Sequence, residues 1–324
     1  MSLYRNVVWF TKGIREYTKS GFESASARFD PKELEGVRLD NRRVMVTGAN
    51  SGIGLACCKE LIKRGAEIHM VCLNMERGQA ARDAIIEAAG NPNATVHLHQ
   101  LNLAKAKSVF EFARQFSTTH DRLDVLINNA GCMANELSVD ANNLEVNFAT
   151  NTLATYILTE TLLPILKKST DPRVIVVSSG GMLVQKLDHA DPMLVNQRNS
   201  FDGTMVYAQN KRQQVVMTEI WAESHPDIQF ASMHPGWADT PAVANSMPDF
   251  HHRMHGRLRT PEQGADTVVW LALTPNLRKY PNGSFFQDRK VVPKHLPLAR
   301  THSSHNEKLQ FIDKLAEIAK PFMT

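Results

Sequence analysis

The sequence predicts an α/β protein: one doubly wound parallel sheet with helices on both faces, flanked by helical extensions. Three observations predict it. From about Arg42 to Gln287, short apolar runs alternate with longer stretches of helical periodicity, the pattern of successive βαβ units. A glycine-rich turn stands between the first apolar run and the first helical stretch. Small polar clusters then follow later apolar runs, where open parallel sheets gather their ligands. A chain of 324 residues accommodates one such domain with extensions, divided as 1–40, 41–290 and 291–324.

In the first segment Leu3, Val7, Phe10, Ile14 and Tyr17 recur at three- and four-residue steps, lining one face of a helix between Arg5, Lys12, Arg15 and Lys19. Such a face demands a buried partner without naming it. Either the helix docks on its own domain, or residues 1–28 lie on a membrane surface with Trp9 and Tyr17 at the interface. Arg5, Asn6, Thr11 and Lys12 interrupt the apolar run, which argues against a cleaved secretory signal. In the last segment Pro293 and Pro297 precede an amphipathic helix over Glu307–Phe322, suited to packing or oligomer contact.

Within the central segment, Arg43-Val44-Met45-Val46 reads as a buried strand and Leu55 to Arg64 as a helix. Between them runs Thr47-Gly48-Ala49-Asn50-Ser51-Gly52-Ile53-Gly54. Glycines at 48, 52 and 54 allow a tight turn and close backbone approach, so the helix N-terminus can offer its N–H groups to a pyrophosphate. A dinucleotide is therefore the expected ligand. After the next strand, Glu67 to Cys72, an acidic residue would bind the ribose hydroxyls of NAD and a basic one the phosphate of NADP. Cys72 and Leu73 supply neither, and Asn74 and Arg77 are the nearest compensation. The missing acid and the nearby cation favour NADP(H) over NAD(H).

Arg173 to Val177 reads as another buried strand, ending in Ser178 and Ser179, either of which can present a hydroxyl at the strand's C-terminal edge. Tyr207 and Lys211 stand four residues apart, on one face of a helix running towards Glu219. A tyrosine has an ordinary pKa of about 10, and each unit removed takes roughly 1.4 kcal/mol in favour of phenolate, which a nearby cation can supply. His234 stands where a strand ends, a packing position more than a proton-transfer one.

The spacing of Thr47, Gly48, Gly52 and Gly54, followed by Asn128-Asn129-Ala130-Gly131, Ser179, Tyr207-x-x-x-Lys211 and Pro235-Gly236, resembles the short-chain dehydrogenase/reductase family over about Arg42 to Gln287. The 28 positions from Ser179 to Tyr207 point towards its retinol-dehydrogenase-like and orphan branches, with an insert from Gly180 to Met205 over the substrate side. The resemblance implies a Rossmann-type fold and hydride transfer between a nicotinamide cofactor and a carbonyl or alcohol substrate. It implies Tyr207 as acid/base, Ser179 as holder of the substrate oxygen, Lys211 as tuner of Tyr207 and ligand of the ribose, and Asn151 as anchor of a water near Lys211. Asn147 is a same-face alternative to Asn151. Cofactor contacts fall by resemblance on the turn from Thr47 to Gly54, on Asn102 and Leu103, on Asn129, Ala130 and Gly131, and on Pro235, Gly236 and Thr240. Where the family often has an acid, Asn102 stands; where relatives carry Arg, Leu73 stands. A homodimer is the assembly the resemblance suggests.

Composition bounds the alternatives. Lys and Arg total 37 against 33 Asp and Glu, and a balance of +4 without a concentrated basic face argues against a nucleic-acid partner. Four cysteines, Cys57, Cys58, Cys72 and Cys132, form no Cys-x-x-Cys pair and fit a reducing compartment, hence a cytoplasmic location, free or peripheral on an intracellular membrane. No apolar run is long enough for a transmembrane helix. His251, His252 and His255 lack the partners of a recognised zinc spacing, so no metal is expected. The competing function is a cofactor-binding regulatory or scaffold protein on the same fold.

Overall fold

The computed structural model describes residues 3–91 and 93–324. Two helices open the chain, α1 (Leu3–Glu16) and α2 (Lys19–Ser26). The alternation follows: β1 (Arg43–Thr47), α3 (Gly52–Lys63), β2 (Glu67–Cys72), α4 (Met75–Ala89), β3 (Val96–Gln100), α5 (Ala106–Thr119) and β4 (Val125–Asn128). A short α6 (Val146–Phe148) leads through a π-helical turn (Ala149–Leu153) into α7 (Ala154–Leu166), then β5 (Arg173–Val177), α8 (Gly203–Ser224) and β6 (Gln229–Met233). Helices α9 (Pro241–Ser246), α10 (Pro248–Arg253) and α11 (Pro261–Leu273), strands β7 (Ser284–Gln287) and β8 (Lys290–Val291), and α12 (His305–Ala319) complete the chain.

The sheet order is β3-β2-β1-β4-β5-β6-β7-β8, parallel throughout except for the β7–β8 pair. Strand alternation explains the two layers. Met45, Leu126, Val174 and Val176 face α5, α7 and α8, whereas Val44, Val46, Ile127 and Ile175 face α3 and α11. Both faces are covered, so the strands read as continuous apolar runs, and all the parallel strands end on one edge.

Helix α1 docks on the domain, but not by the face its periodicity suggests. Of the five spaced residues only Tyr17 is buried, while Leu3, Val7, Phe10 and Ile14 remain 79%, 57%, 48% and 38% exposed. The docking face is instead Val8, Trp9 and Gly13. The Trp9 indole donates to the Gly180 carbonyl at 2.7 Å, and a Cβ on Gly13 would stand 2.2 Å from the Trp237 ring. Close approach at a glycine decides this contact, and a count of apolar spacings does not register it.

Arg259, 1% exposed, secures the junction. Its guanidinium pairs with both oxygens of Asp288 at 2.6 and 3.0 Å and donates to the backbone carbonyls of Glu16 at 2.6 Å, Thr18 at 3.3 Å and Pro235 at 3.3 Å. The planar five-donor fork is what allows one side chain to join these segments. At the other end α12 buries Phe311, Leu315 and Ala319 in the core layer that holds Leu162 and Trp221, so this face is consumed by packing within the chain.

Arg259→Met, which strands the buried Asp288 carboxylate, lowers unfolding stability by about 3–5 kcal/mol, and adding Asp288→Asn, which removes the charge and tolerates the left-handed backbone at that position, recovers part of the loss. Denaturant unfolding of the two variants checks both statements.

Candidate active site

The glycine turn needs its glycines at two positions with left-handed backbone, Gly48 (φ +66°) and Gly52 (φ +51°). A Cβ on Gly54 would meet the Gly48 carbonyl at 2.3 Å, so α3 can start only if nothing is there. Ser51 occupies the N-cap without a side-chain capping bond, which leaves first-turn N–H groups of α3 for a ligand. Asn50 and Ile53 flank that cleft, and the Thr240 side chain would touch a Cβ on Gly52 at 3.0 Å. Thr47 and Asn129 are spent on structure. The Thr47 hydroxyl accepts from the N–H groups of Asn129 and Ala130, both at 3.0 Å, and the Asn129 amide donates to the Thr47 carbonyl at 2.8 Å. These bonds tie the β1 turn to the β4 loop and fix the floor between them.

Beyond β2, Leu73 is 63% exposed and the Asn74 oxygen is committed as N-cap of α4, accepting from Arg77 N–H at 2.8 Å. The expected compensation by Asn74 therefore reduces to its amide nitrogen, and the exposed Arg77 guanidinium makes no ion pair or hydrogen bond among the described residues. Asn102 likewise uses its oxygen in its own turn, accepting from Ala104 N–H at 3.0 Å, with Leu103 half-buried beside it.

The two serines separate cleanly. Ser178 is buried and donates to the Lys211 carbonyl at 2.9 Å, whereas Ser179 caps the 3-10 turn Gly180–Val184, its hydroxyl accepting from Gly181 N–H at 3.1 Å. Tyr207, in the first turns of α8, lies beneath Lys211, whose Nζ is 5.4 Å from the ring centroid. Burial pushes the Tyr207 phenol up to about 12 against the pull of Ser179, and burial brings the Lys211 ammonium down to about 8. Among the described residues no carboxylate reaches that ammonium. It donates instead to the Val177 carbonyl at 2.9 Å and to Gln214 Oε1 at 3.1 Å.

Asn151 sits near Lys211 as expected. Its side chain pairs with the Cys132 backbone, accepting at 2.9 Å and donating at 2.8 Å, and its own carbonyl accepts from Gln214 Nε2 at 2.7 Å and from the Thr155 hydroxyl at 2.9 Å. Asn147 makes the same two-point pairing with Ala134, at 2.6 and 3.1 Å. Both asparagines hold the loop that leaves β4, whose backbone has no strand to pair with. Gly131 belongs to this loop, and a Cβ there would lie 3.2 Å from Asn151 Oδ1 and 3.3 Å from Lys211 Nζ.

His234 accepts from Gly180 N–H at 2.8 Å and packs edge-on against Tyr17; burial holds its pKa well below the ordinary value, so it is a neutral packing group. Pro235 and Gly236 turn above Arg259, with Gly236 at φ +78°. In the insert, Met182, Leu183 and Val184 pack with Val215 and Phe285 as core. A cleft of about 520 Å³ lies between Phe10 of α1, Met247, Phe250 and Met254 around α10, and Asn135.

Sequence reasoning missed Gln214 and Arg259, whose roles depend on neighbours far along the chain. It missed as well the gathering of Glu67, His69 and His97, where Glu67 Oε1 lies 3.0 and 3.4 Å from the two imidazoles while Arg43 holds the same carboxylate. Period-2 alternation along β2 and β3 was the available signal. His251 contacts Asp239 at 2.8 Å.

Residues 42–188 match the short chain dehydrogenase family model. Over 322 residues, 99% of this chain and 100% of the relative, the sequence is 56% identical to dehydrogenase/reductase SDR family member 12 of Bos taurus. Retinol dehydrogenase 11 of Homo sapiens is 32% identical over 260 residues, 79% of this chain and 80% of that one. A short chain dehydrogenase of Escherichia coli CFT073, solved in complex with NADPH, shares the fold with a TM-score of 0.63 at 22% identity, over 81% of this chain and 100% of that one. The motif resemblance thus extends, at high identity, through both terminal extensions. The chain belongs to the short-chain dehydrogenase/reductase family and is an NAD(P)-dependent oxidoreductase of that family.

Proposed function

We propose that this oxidoreductase uses NADP(H) to interconvert the carbonyl and alcohol forms of an apolar, lipid-like small molecule, with Tyr207 as its acid/base. The observation that carries the reading is the Tyr207 ring lying 5.4 Å from the Lys211 ammonium, at the sheet edge where the parallel strands end and Ser179 caps the next turn. The cradle fits a dinucleotide: an uncapped α3 N-terminus, glycines where a Cβ would collide, and, in the first turn of α4, an exposed Arg77 whose guanidinium has no partner among the described residues. Gly48 to Gly54 would hold the pyrophosphate, Arg77 the ribose phosphate, and Gly131, Lys211, Pro235, Gly236 and Thr240 the nicotinamide half. When bound, the cofactor supplies or accepts the hydride.

The residues of the chain handle the proton. In the reductive direction Ser179 donates a hydrogen bond to the substrate oxygen and Tyr207 gives it a proton as negative charge develops there. The Lys211 cation stabilises the phenolate left behind, a larger effect in this water-poor setting than in bulk solvent. Oxidation runs the same steps backwards. The name of the retinol dehydrogenase relative supports a lipid-like substrate.

The outward stripe Leu3, Val7, Phe10 and Ile14, beside exposed Arg15 and Lys19, supports peripheral contact with an intracellular membrane. No helix among the described residues is long and apolar enough to cross one. A homodimer would pair faces other than the one α12 covers.

Fluorescence titration should show NADPH binding more tightly than NADH. Arg77→Ala then weakens NADPH by about tenfold and leaves NADH unchanged, while Gly52→Asp abolishes both. Binding of neither cofactor by folded protein would favour the noncatalytic reading. Tyr207→Phe lowers kcat about 10²-fold or more in NADPH oxidation with a panel of short- and long-chain aldehydes, with cofactor affinity retained. Sedimentation with anionic liposomes is expected for the native chain and lost in Val7→Asp/Phe10→Asp; equal sedimentation of both proteins, or none by either, removes the membrane role.

A further inference from the structure

Lys211 is 2% exposed, an ammonium buried with no counter-ion within reach among the described residues. A buried charge without a carboxylate survives only if dipoles replace its lost hydration. Two do so here. One is the Val177 carbonyl at the end of β5, at 2.9 Å, which belongs to the backbone and cannot be varied. The other is Gln214 Oε1 at 3.1 Å, from a side chain that is wholly buried one turn further along α8.

The orientation of the Gln214 amide is determined by its other end. Its Nε2 donates to the Asn151 carbonyl at 2.7 Å, which directs Oε1 at the lysine. That carbonyl lies in the π-helical turn, where the wider winding loosens the helix ladder and lets it accept two side-chain donors, Gln214 and Thr155. The three partners form one line: the Lys211 ammonium, the Gln214 amide and the Asn151 carbonyl.

We propose that Gln214 is a positioning residue of the active site: its carboxamide, anchored on the Asn151 carbonyl, presents Oε1 to Lys211 and keeps that buried ammonium charged. The functional importance of the inference rests on the reading of Lys211 as the group that tunes Tyr207. The titratable groups that face Lys211 are Tyr207 from its own helix and Cys132 from the loop after β4; burial raises both and keeps them protonated near neutral pH. Without Oε1 the ammonium loses one of its two dipoles, and its pKa, which burial already brings to about 8, falls further.

The test reads the lysine itself. Full-length protein carrying [ε-13C]lysine is titrated by NMR, with Lys211→Arg identifying the Lys211 signal. Gln214→Met preserves length and removes both bonds; Lys211 then loses its proton at least about one pH unit earlier, a tenfold change in its dissociation constant. Gln214→Glu places a carboxylate beside the ammonium and moves the titration in the opposite direction. Thr155→Val, which removes the other donor to the same carbonyl, leaves the titration where it was. An unmoved Lys211 in Gln214→Met, or an equal shift in Thr155→Val, overturns the proposal. If Gln214→Met fails to fold by thermal unfolding, the direction of the Gln214→Glu shift decides it. The titration needs neither cofactor nor substrate, so it separates the two readings. A Gln214-dependent lysine in a protein inactive on every aldehyde keeps this inference and removes the catalytic one, and the converse result does the reverse.

Discussion

A parallel sheet ends its strands on one edge, and there the backbone runs out of strand partners. Every loop leaving that edge carries N–H and C=O groups that must be satisfied by something else. In this protein hydroxyl and amide side chains do it: Thr47 and Asn129 between the β1 and β4 turns, Asn147 and Asn151 along the β4 loop, and Ser178 and His234 where β5 and β6 end. The chemistry proposed for Ser179, Tyr207 and Lys211 stands on this layer. Ser179 and Lys211 share in it as well, Ser179 accepting from Gly181 N–H and Lys211 donating to the Val177 carbonyl.

Two buried cations show opposite solutions to desolvation. Arg259 is matched to a carboxylate and three carbonyls, an arrangement that saturates a planar fork and makes a rigid junction. Lys211 is met only by dipoles, so its charge is held less firmly and its proton lies within reach of neutral pH. A guanidinium is suited to joining segments of chain. An ammonium whose proton affinity can be adjusted is suited to tuning a phenol.

The sheet, its helices and the site motifs were legible because each is local. A strand, a glycine turn and a helix lie within the span from Arg43 to Lys63, and Tyr207 and Lys211 share one helix face. Ser178 and Ser179 could not be told apart, since alternation places them on opposite sides and the sequence does not say which side is the core. The N-terminal helix was legible as amphipathic but not in which side docks, because Gly13 and Trp9 dock it by shape complementarity at Trp237 and Gly180. Gln214 carries no local mark at all. Its partners are Lys211 on the same helix and the Asn151 carbonyl 63 positions away, in a turn whose winding no residue pattern announces.

The bonds from Arg259 to Glu16 and Thr18 span 243 and 241 positions, and that from Trp9 to Gly180 spans 171. Helix α1 is therefore synthesised well before its dock, which is assembled from residues 171 to 243 positions further along the chain. Throughout synthesis α1 travels with both of its apolar sides uncovered. A nascent chain with such an uncovered helix is a natural client for chaperones during elongation, and docking reduces that exposure to a single outward stripe.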